Sequence, residues 1–228
     1  MRTVFAIVLL AVVGLGIGLA LLDVPFGAPK TGIGDYYIEH GREETGAANT
    51  VTAVVVGYRA FDTLGEVTVL FVAALGLGAV LAATGGGSEK REVEPASLVL
   101  LTGSRFLFPL IMLFGAYVFL HGHLTPGGGF QGGAVVASAF LLLYLGSRGR
   151  RVSRTWSTAT EALGGLVFVV LGLVGLAVGG GYFLSNFMPT GALNTLLSAG
   201  VIPVIYAAIG FKVGSELAGV IHDLVEET

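Results

Sequence analysis

Residues 121–133 read His-Gly-His-Leu-Thr-Pro-Gly-Gly-Gly-Phe-Gln-Gly-Gly and lie between two long apolar runs. Pro126 removes a backbone donor and the glycines around it weaken a helix, so no continuous helix is expected across 124–129. If the break lies at membrane depth, its polar backbone needs protein or water around it, because hydrocarbon offers no hydrogen bonds. The stretch is therefore expected either as a broken-helix or re-entrant segment packed against other helices, or as a tight loop at the membrane face.

The rest of the composition fits that setting. With 228 residues, 54% hydrophobic and 12% charged, a mean hydropathy of +0.86 and 37 glycines, the chain reads as an all-α integral membrane protein. Zero cysteines exclude disulfides, thiolate clusters and a cysteine nucleophile. A net charge of -3, with no groove-sized basic patch, gives no reason to expect a nucleic-acid partner.

Working outward, the first uncharged run is 3–22, long enough for the roughly 30 Å hydrocarbon core. It ends in Leu-Leu-Asp-Val-Pro rather than a small-residue cleavage site, so a retained helix is expected, not a signal peptide. Residues 23–46 turn polar and read as an extramembrane loop. Residues 47–58 are apolar but too short to span, and suit a short interfacial or partly inserted helix. Arg59 and Asp62 then precede a second span at 64–83, which carries Glu66.

A glycine-rich, charged linker fills 85–95, extended to 97 as a module boundary. Four more spans are expected at 98–120, with Pro109 as a kink, 130–145, 161–184 and 194–220. Arg148, Arg150, Arg151 and Arg154 form the densest positive cluster, with Arg2, Lys90 and Arg91 on the same side by alternation. The positive-inside rule then places both termini in the cytoplasm of a multi-pass plasma-membrane protein, with 121–133 facing outward.

Ionisable groups inside apolar spans mark ion or proton routes, because each is expensive to leave unpaired in lipid. Glu66, Lys212 and Glu216 are such groups. Lys212 and Glu216 are four apart, share a helix face and can pair, as a structural salt bridge or as part of a route. Asp62 and Arg59 lie close enough before Glu66 for Arg59 to pair with either carboxylate. His121 and His123 flank Gly122, but two histidines with no carboxylate or cysteine beside them make a weak metal site. They suit a titrating pair at a channel mouth, or a loop held by imidazole–backbone hydrogen bonds. Gly14 with Gly18, Gly175 with Gly179, and Gly210 with Gly214 have the four-residue spacing that lets helices approach closely.

These residues carry a resemblance. Residues 108–133, Phe-Pro-Leu-Ile-Met-Leu-Phe-Gly-Ala-Tyr-Val-Phe-Leu-His-Gly-His-Leu-Thr-Pro-Gly-Gly-Gly-Phe-Gln-Gly-Gly, resemble the signature of the MnhB/MrpB subunit of multisubunit Na+/H+ antiporters, and the likeness runs through 98–228. Residues 202–216 look closer to the version in membrane-bound hydrogenases and their ferredoxin-linked relatives. Residues 39–66 resemble the small E-type membrane subunit of hydrogenases, which corresponds to the C-terminal end of the large antiporter subunit. The chain thus resembles a fusion of an E-like two-span module, 1–84, and a B-like four-span module, 98–228. Where that family commonly has an aspartate before the Tyr/Phe-Arg pair, this chain has Gly57, so an ion-coupling role there is lost or moved to Asp62.

The resemblance implies a membrane subunit of a hetero-oligomer that exchanges Na+ and H+, surrounded by lipid and by other membrane subunits of an Mrp- or hydrogenase-type complex. Glu66 is the implied intramembrane carboxylate, followed by Lys212 and Glu216, with Asp62, Arg59, His40, His121 and His123 as mouth or loop residues. Three settings follow: a secondary antiporter, the membrane arm of a hydrogenase or ferredoxin-dependent complex, or a non-conducting scaffold. No resident redox cofactor is expected, for want of cysteines to hold a cluster. No catalytic centre is expected on this chain.

Overall fold

The computed structural model describes residues 2–22, 32–84, 96–147 and 153–227. The 85–95 linker and Arg148, Arg150 and Arg151 lie outside the described residues. Those described form helices and loops with no strand, and six helices are long and apolar enough to cross a membrane.

The chain divides into two compact units, 1–36 and 37–228. In the first, α1 (Arg2–Leu22) is uniformly apolar and buries none of its residues. In the second, α8 (Ile202–Glu227) is the central element: it packs against α4 (Ala60–Thr84), α5 (Leu98–Leu120), α6 (Gly129–Gly146) and α7 (Arg154–Val178).

Glycines set these contacts. A Cβ on Gly132 of α6 would meet the Gly115 carbonyl and the Phe119 Cβ of α5, each at 2.8 Å. On the opposite face, a Cβ on Gly133 would meet Val213 of α8 at 2.8 Å. α6 is thus wedged between two helices whose backbones it approaches without side chains, which suits helices packed in lipid. Of the three spaced pairs, Gly210 and Gly214 face Phe119 and Val136 across helix contacts, whereas Gly175 and Gly179 pack on the backbone or side chain of Ser185. Gly14 and Gly18 meet nothing within 4 Å.

Two segments depart from expectation, while the short helix expected within 47–58 is present. Residues 33–45, read as loop, form helix α2 (Ile33–Thr45), with Asp35 in its first turn and Arg42 in its last, both favourable to the helix dipole. Next, Asn49 caps a helical turn at Thr50–Thr52, which widens into a π turn at Ala53–Tyr58; together these make α3. The Arg59 N–H donates to the Val54 carbonyl, five residues back, at 2.8 Å. Tyr37 of α2 stacks on Tyr58 at 4.4 Å, and the Tyr58 hydroxyl donates to Glu44 at 2.5 Å.

The larger departure lies near the C-terminus. Spans expected at 161–184 and 194–220 are α7 at Arg154–Val178 and α8 at Ile202–Glu227, and 179–201 between them is irregular. Gly179–Gly180–Gly181 ends α7, each glycine disfavouring helix by roughly 1 kcal/mol. The segment then packs inward: Phe183 sits against Phe168 and Phe61 at 6.0 and 5.2 Å. Leu184 and Ala199 hold φ of 61° and 68° while fully covered, so burial enforces a left-handed backbone that such residues rarely adopt. Asn186 organises the return, its Oδ1 accepting from Met188 and Val201 N–H at 3.2 Å. By contrast α5 continues through Pro109 as one helix.

Candidate ion-handling site

Within the 121–133 stretch, residues 121–128 form a tight turn rather than a re-entrant segment, and 129–133 open a helix: α5 ends at Leu120 and α6 begins at Gly129. Leu124 and Thr125 N–H both donate to the His121 carbonyl at 2.9 Å. The α3 cap clamps the turn. Asn49 Nδ2 donates to the carbonyls of Gly122 at 2.8 Å and Thr125 at 3.0 Å, and its N–H donates to the His123 carbonyl at 3.0 Å. Thr52 Oγ1 donates to Gly122 at 2.7 Å and accepts from the Tyr206 hydroxyl of α8 at 2.9 Å. Residues before and after the linker are therefore bound by buried polar contacts.

The two histidines part company in this turn. His121 stacks on Tyr117 at 4.3 Å, with its Nδ1 3.3 Å from the Tyr117 carbonyl. His123 turns inward, 0% exposed, and neither ring nitrogen makes a hydrogen bond. Burial holds its pKa below the usual imidazole value; the backbone at Thr195 and Leu196 faces the ring and acts the other way but less strongly. Ser198 Oγ is also buried without a partner. Among the described residues no three His, Asp or Glu side chains converge on a point that suits a metal ion.

Lys212 and Glu216 do pair, and deep inside. Lys212 is 5% exposed and Glu216 3%, with the Lys212 Nζ donating to Glu216 Oε2. Glu216 lies 11 residues before the end of α8, roughly 16 Å along the axis at 1.5 Å per residue, too far in to snorkel. The lysine is seated by two neighbours. Its stem runs along Gly164 and Gly165 of α7, where a Cβ on Gly164 would come within 3.0 Å of Lys212 Cβ. Its ammonium lies 5.6 Å from the centre of the Phe71 ring of α4, within cation–π range. Glu216 Oε1 is buried with no partner.

Glu216 of that pair borders a cavity of about 230 Å³ walled by α4, α6, α7 and α8. Its lining includes Phe71, Tyr144, Ser157, Glu161, Glu216 and the exposed Arg154 at the rim. At about 30 Å³ per water the space admits several molecules. Glu161, expected only as the boundary of a span, lies 7 residues inside α7 and within electrostatic range of both Glu216 and Lys212. Arg154 is already committed to Asp223 by two hydrogen bonds, 3.0 and 3.3 Å.

The other expected residues lie elsewhere. Arg59 pairs with Asp62 on the surface. Glu66 sits on the exposed face of α4 and, among the described residues, makes no hydrogen bond or ion pair. His40 is on an exposed face of α2. Gly57 has a steric reason, because a Cβ there would come within 2.6 Å of Thr45 Cγ2.

An ionised pair held inside a bundle of lipid-length helices defines a multi-pass α-helical membrane protein with an internal charged site. The chain belongs to the family described as a domain related to the MnhB subunit of Na+/H+ antiporters, whose profile matches residues 99–219. A second profile, for the MbhE subunit of the membrane-bound hydrogenase (MBH), matches 1–90. A chain of an archaeal respiratory complex, the membrane-bound sulfane sulfur reductase, is 48% identical with a TM-score of 0.79, covering 98% of each chain. A chain of the Mrp complex from Dietzia is 29% identical with a TM-score of 0.75, over 98% of this chain and 26% of that one. An uncharacterized protein of Methanocaldococcus jannaschii is 35% identical over 207 residues, 80% of this chain and 77% of the relative.

Proposed function

We propose that this chain is a cation- and proton-translocating membrane subunit that works only within a hetero-oligomer, in the manner of the MnhB subunit of antiporters. The observation that carries the reading is the buried Lys212–Glu216 pair at the wall of a cavity large enough for water. Two ionised groups at that depth impose a large desolvation cost, and a route for ions is the usual reason for retaining them. Lys212 and Glu216 form the charged step of the route here, with Lys212 holding Glu216 in place. Glu66, exposed on α4 where lipid would otherwise lie, continues it toward a neighbouring subunit. Asp62, Arg59, His40, His121 and His123 stand at loops and helix ends. Residues 1–84 act as the E-like module and 98–228 as the B-like module. Both termini lie on the cytoplasmic side, and α1 with the outer face of α4 is covered by lipid and partner subunits.

A redox-driven setting is the reading we favour over a free-standing antiporter. The end-to-end likeness to a sulfane sulfur reductase chain, at 48% identity, supports it, since the Mrp likeness spans 26% of a longer chain. The test begins with the gently purified native complex, its subunits identified by mass spectrometry and its iron measured. Stoichiometric iron–sulfur partners are expected; large antiporter-like subunits without iron would favour secondary exchange instead. In sealed vesicles, Lys212→Met and Glu66→Gln are each expected to lower Na+-coupled proton movement at least tenfold. Assembled variants with unchanged flux would make this chain a scaffold.

A further inference from the structure

The cavity beside Lys212 carries an unbalanced charge. Two carboxylates, Glu161 and Glu216, face one ammonium, Lys212. The other ionisable groups at the cavity are engaged with one another: Arg154 is paired with Asp223, and His222 lies 3.6 Å from Asp223 and against Tyr144, while α4 contributes only the apolar Phe71, Ala74 and Leu75 to the lining. Lys212 is taken by Glu216 Oε2, which leaves Glu216 Oε1 buried and without a partner. Glu161 makes no hydrogen bond or ion pair among the described residues. A buried anionic oxygen without a donor is expensive, so this arrangement calls for one more positive charge.

We propose that Glu161 and Glu216 Oε1 form, with cavity water, a site for one small monovalent cation, Na+ or a proton in alternation, with Lys212 fixed as the permanent counter-charge. Hard oxygen donors suit Na+, and no three His, Asp or Glu side chains among the described residues are placed together to hold a metal ion, which disfavours a divalent ion. The exchange balances. With a proton on one carboxylate the site is neutral; when Na+ enters from the cavity, that proton passes to cavity water and neutrality is kept. Lys212 stays paired with Glu216 and holds it in place. The inference rests on the translocation reading only for its purpose, since the site is defined by charge and burial.

The test uses the native complex in detergent and labels its carboxyls with dicyclohexylcarbodiimide, which attacks protonated acids, reading Glu161 and Glu216 by peptide mass spectrometry. NaCl is expected to suppress labelling where equal choline chloride does not. The half-protecting Na+ concentration should rise as pH is lowered, by up to about tenfold per unit, the mass-action limit for one displaced proton. Glu161→Gln should raise that concentration at Glu216 about tenfold or more, with Glu161→Asp restoring part of it. No protection at any pH, equal protection by choline, or an assembled Glu161→Gln complex with wild-type protection would each overturn the site. Loss of protection in Glu161→Gln with wild-type ion flux would support the site while removing it from the translocation route. Flux abolished by Lys212→Met with no Na+ protection in wild type would overturn the site and leave the translocation reading intact.

Discussion

Removing Lys212 is the sharpest perturbation the structure offers. Lys212→Met keeps most of the side-chain volume against Gly164 and Gly165 but strips Glu216, at 3% exposure, of its only ion-pair partner among the described residues. Breaking one side of a buried pair costs about 3–5 kcal/mol, because the remaining charge stays desolvated. Lys212→Met/Glu216→Met removes both charges, and buried pairs replaced by apolar residues of like size are often neutral in stability. Glu161 then stands alone, half-buried at a cavity wall where water reaches it. At about 2–4 °C per kcal/mol for a chain of this size, the single change should lower the temperature at which this chain dissociates from its purified complex by about 6–20 °C. The double change should recover most of that loss. A single-variant shift below about 2 °C, or a double variant no better than the single, would refute the argument that charge balance at this site governs stability.

Three other expectations are simpler to read. Burial depresses the His123 pKa, so between that value and 6.5 the unfolded chain binds the proton that the folded turn refuses, and stability falls as pH drops through the window, by at most about 1.4 kcal/mol per unit. Thermal dissociation at pH 7.5 and 5.5 should show this loss in wild type and not in His123→Gln. Gly132→Ala drives a Cβ to 2.8 Å from the Gly115 carbonyl and should cost about 1–3 kcal/mol, whereas Gly103→Ala, with nothing within 4 Å, should be neutral or gain up to about 1 kcal/mol by the same melting assay. Asn49→Ala deletes two side-chain bonds to the 121–128 turn and the α3 cap, and should speed hydrogen exchange in that turn about tenfold, with α6 unchanged.

Six spans were legible because lipid-length apolar runs admit few other readings. Boundaries failed where hydropathy is blind to geometry. Residues 179–201 are apolar enough to pass for span ends, yet Gly179–Gly180–Gly181 and the left-handed backbone at Leu184 and Ala199 make them a packed irregular segment. A shifted start is what concealed Glu161: it was the first residue of an expected span, whereas a helix starting at Arg154 sets it about two turns inside. α2 was hidden for the opposite reason, since a polar helix outside the apolar runs leaves no hydropathy signal. Lys212 and Glu216 were readable from their spacing alone, as an i, i+4 pair on one helix must share a face. Which face Glu66 takes was not readable, because α4 is apolar all round and nothing in its pattern distinguishes the side against α8 from the side away from it.

The two matched segments meet through polar atoms, and this constrains where the chemistry lies. On one side of the bundle, Asn49 and Thr52 from the first segment hold the 121–128 turn and Tyr206 of the second. On the other, Phe71, Ala74 and Leu75 of α4 close the cavity whose charged wall comes from α7 and α8. Without α4, Lys212 loses its ring and the cavity loses a wall, so Glu216 would face lipid or water directly. Without α7 and α8, α4 keeps Glu66 and has no counter-charge beside it among the described residues. Neither segment alone therefore holds a lysine, two carboxylates and all the walls of the cavity. The proposed ion-handling unit is the junction between them, and carrying both segments on one chain fixes that junction at one copy of each.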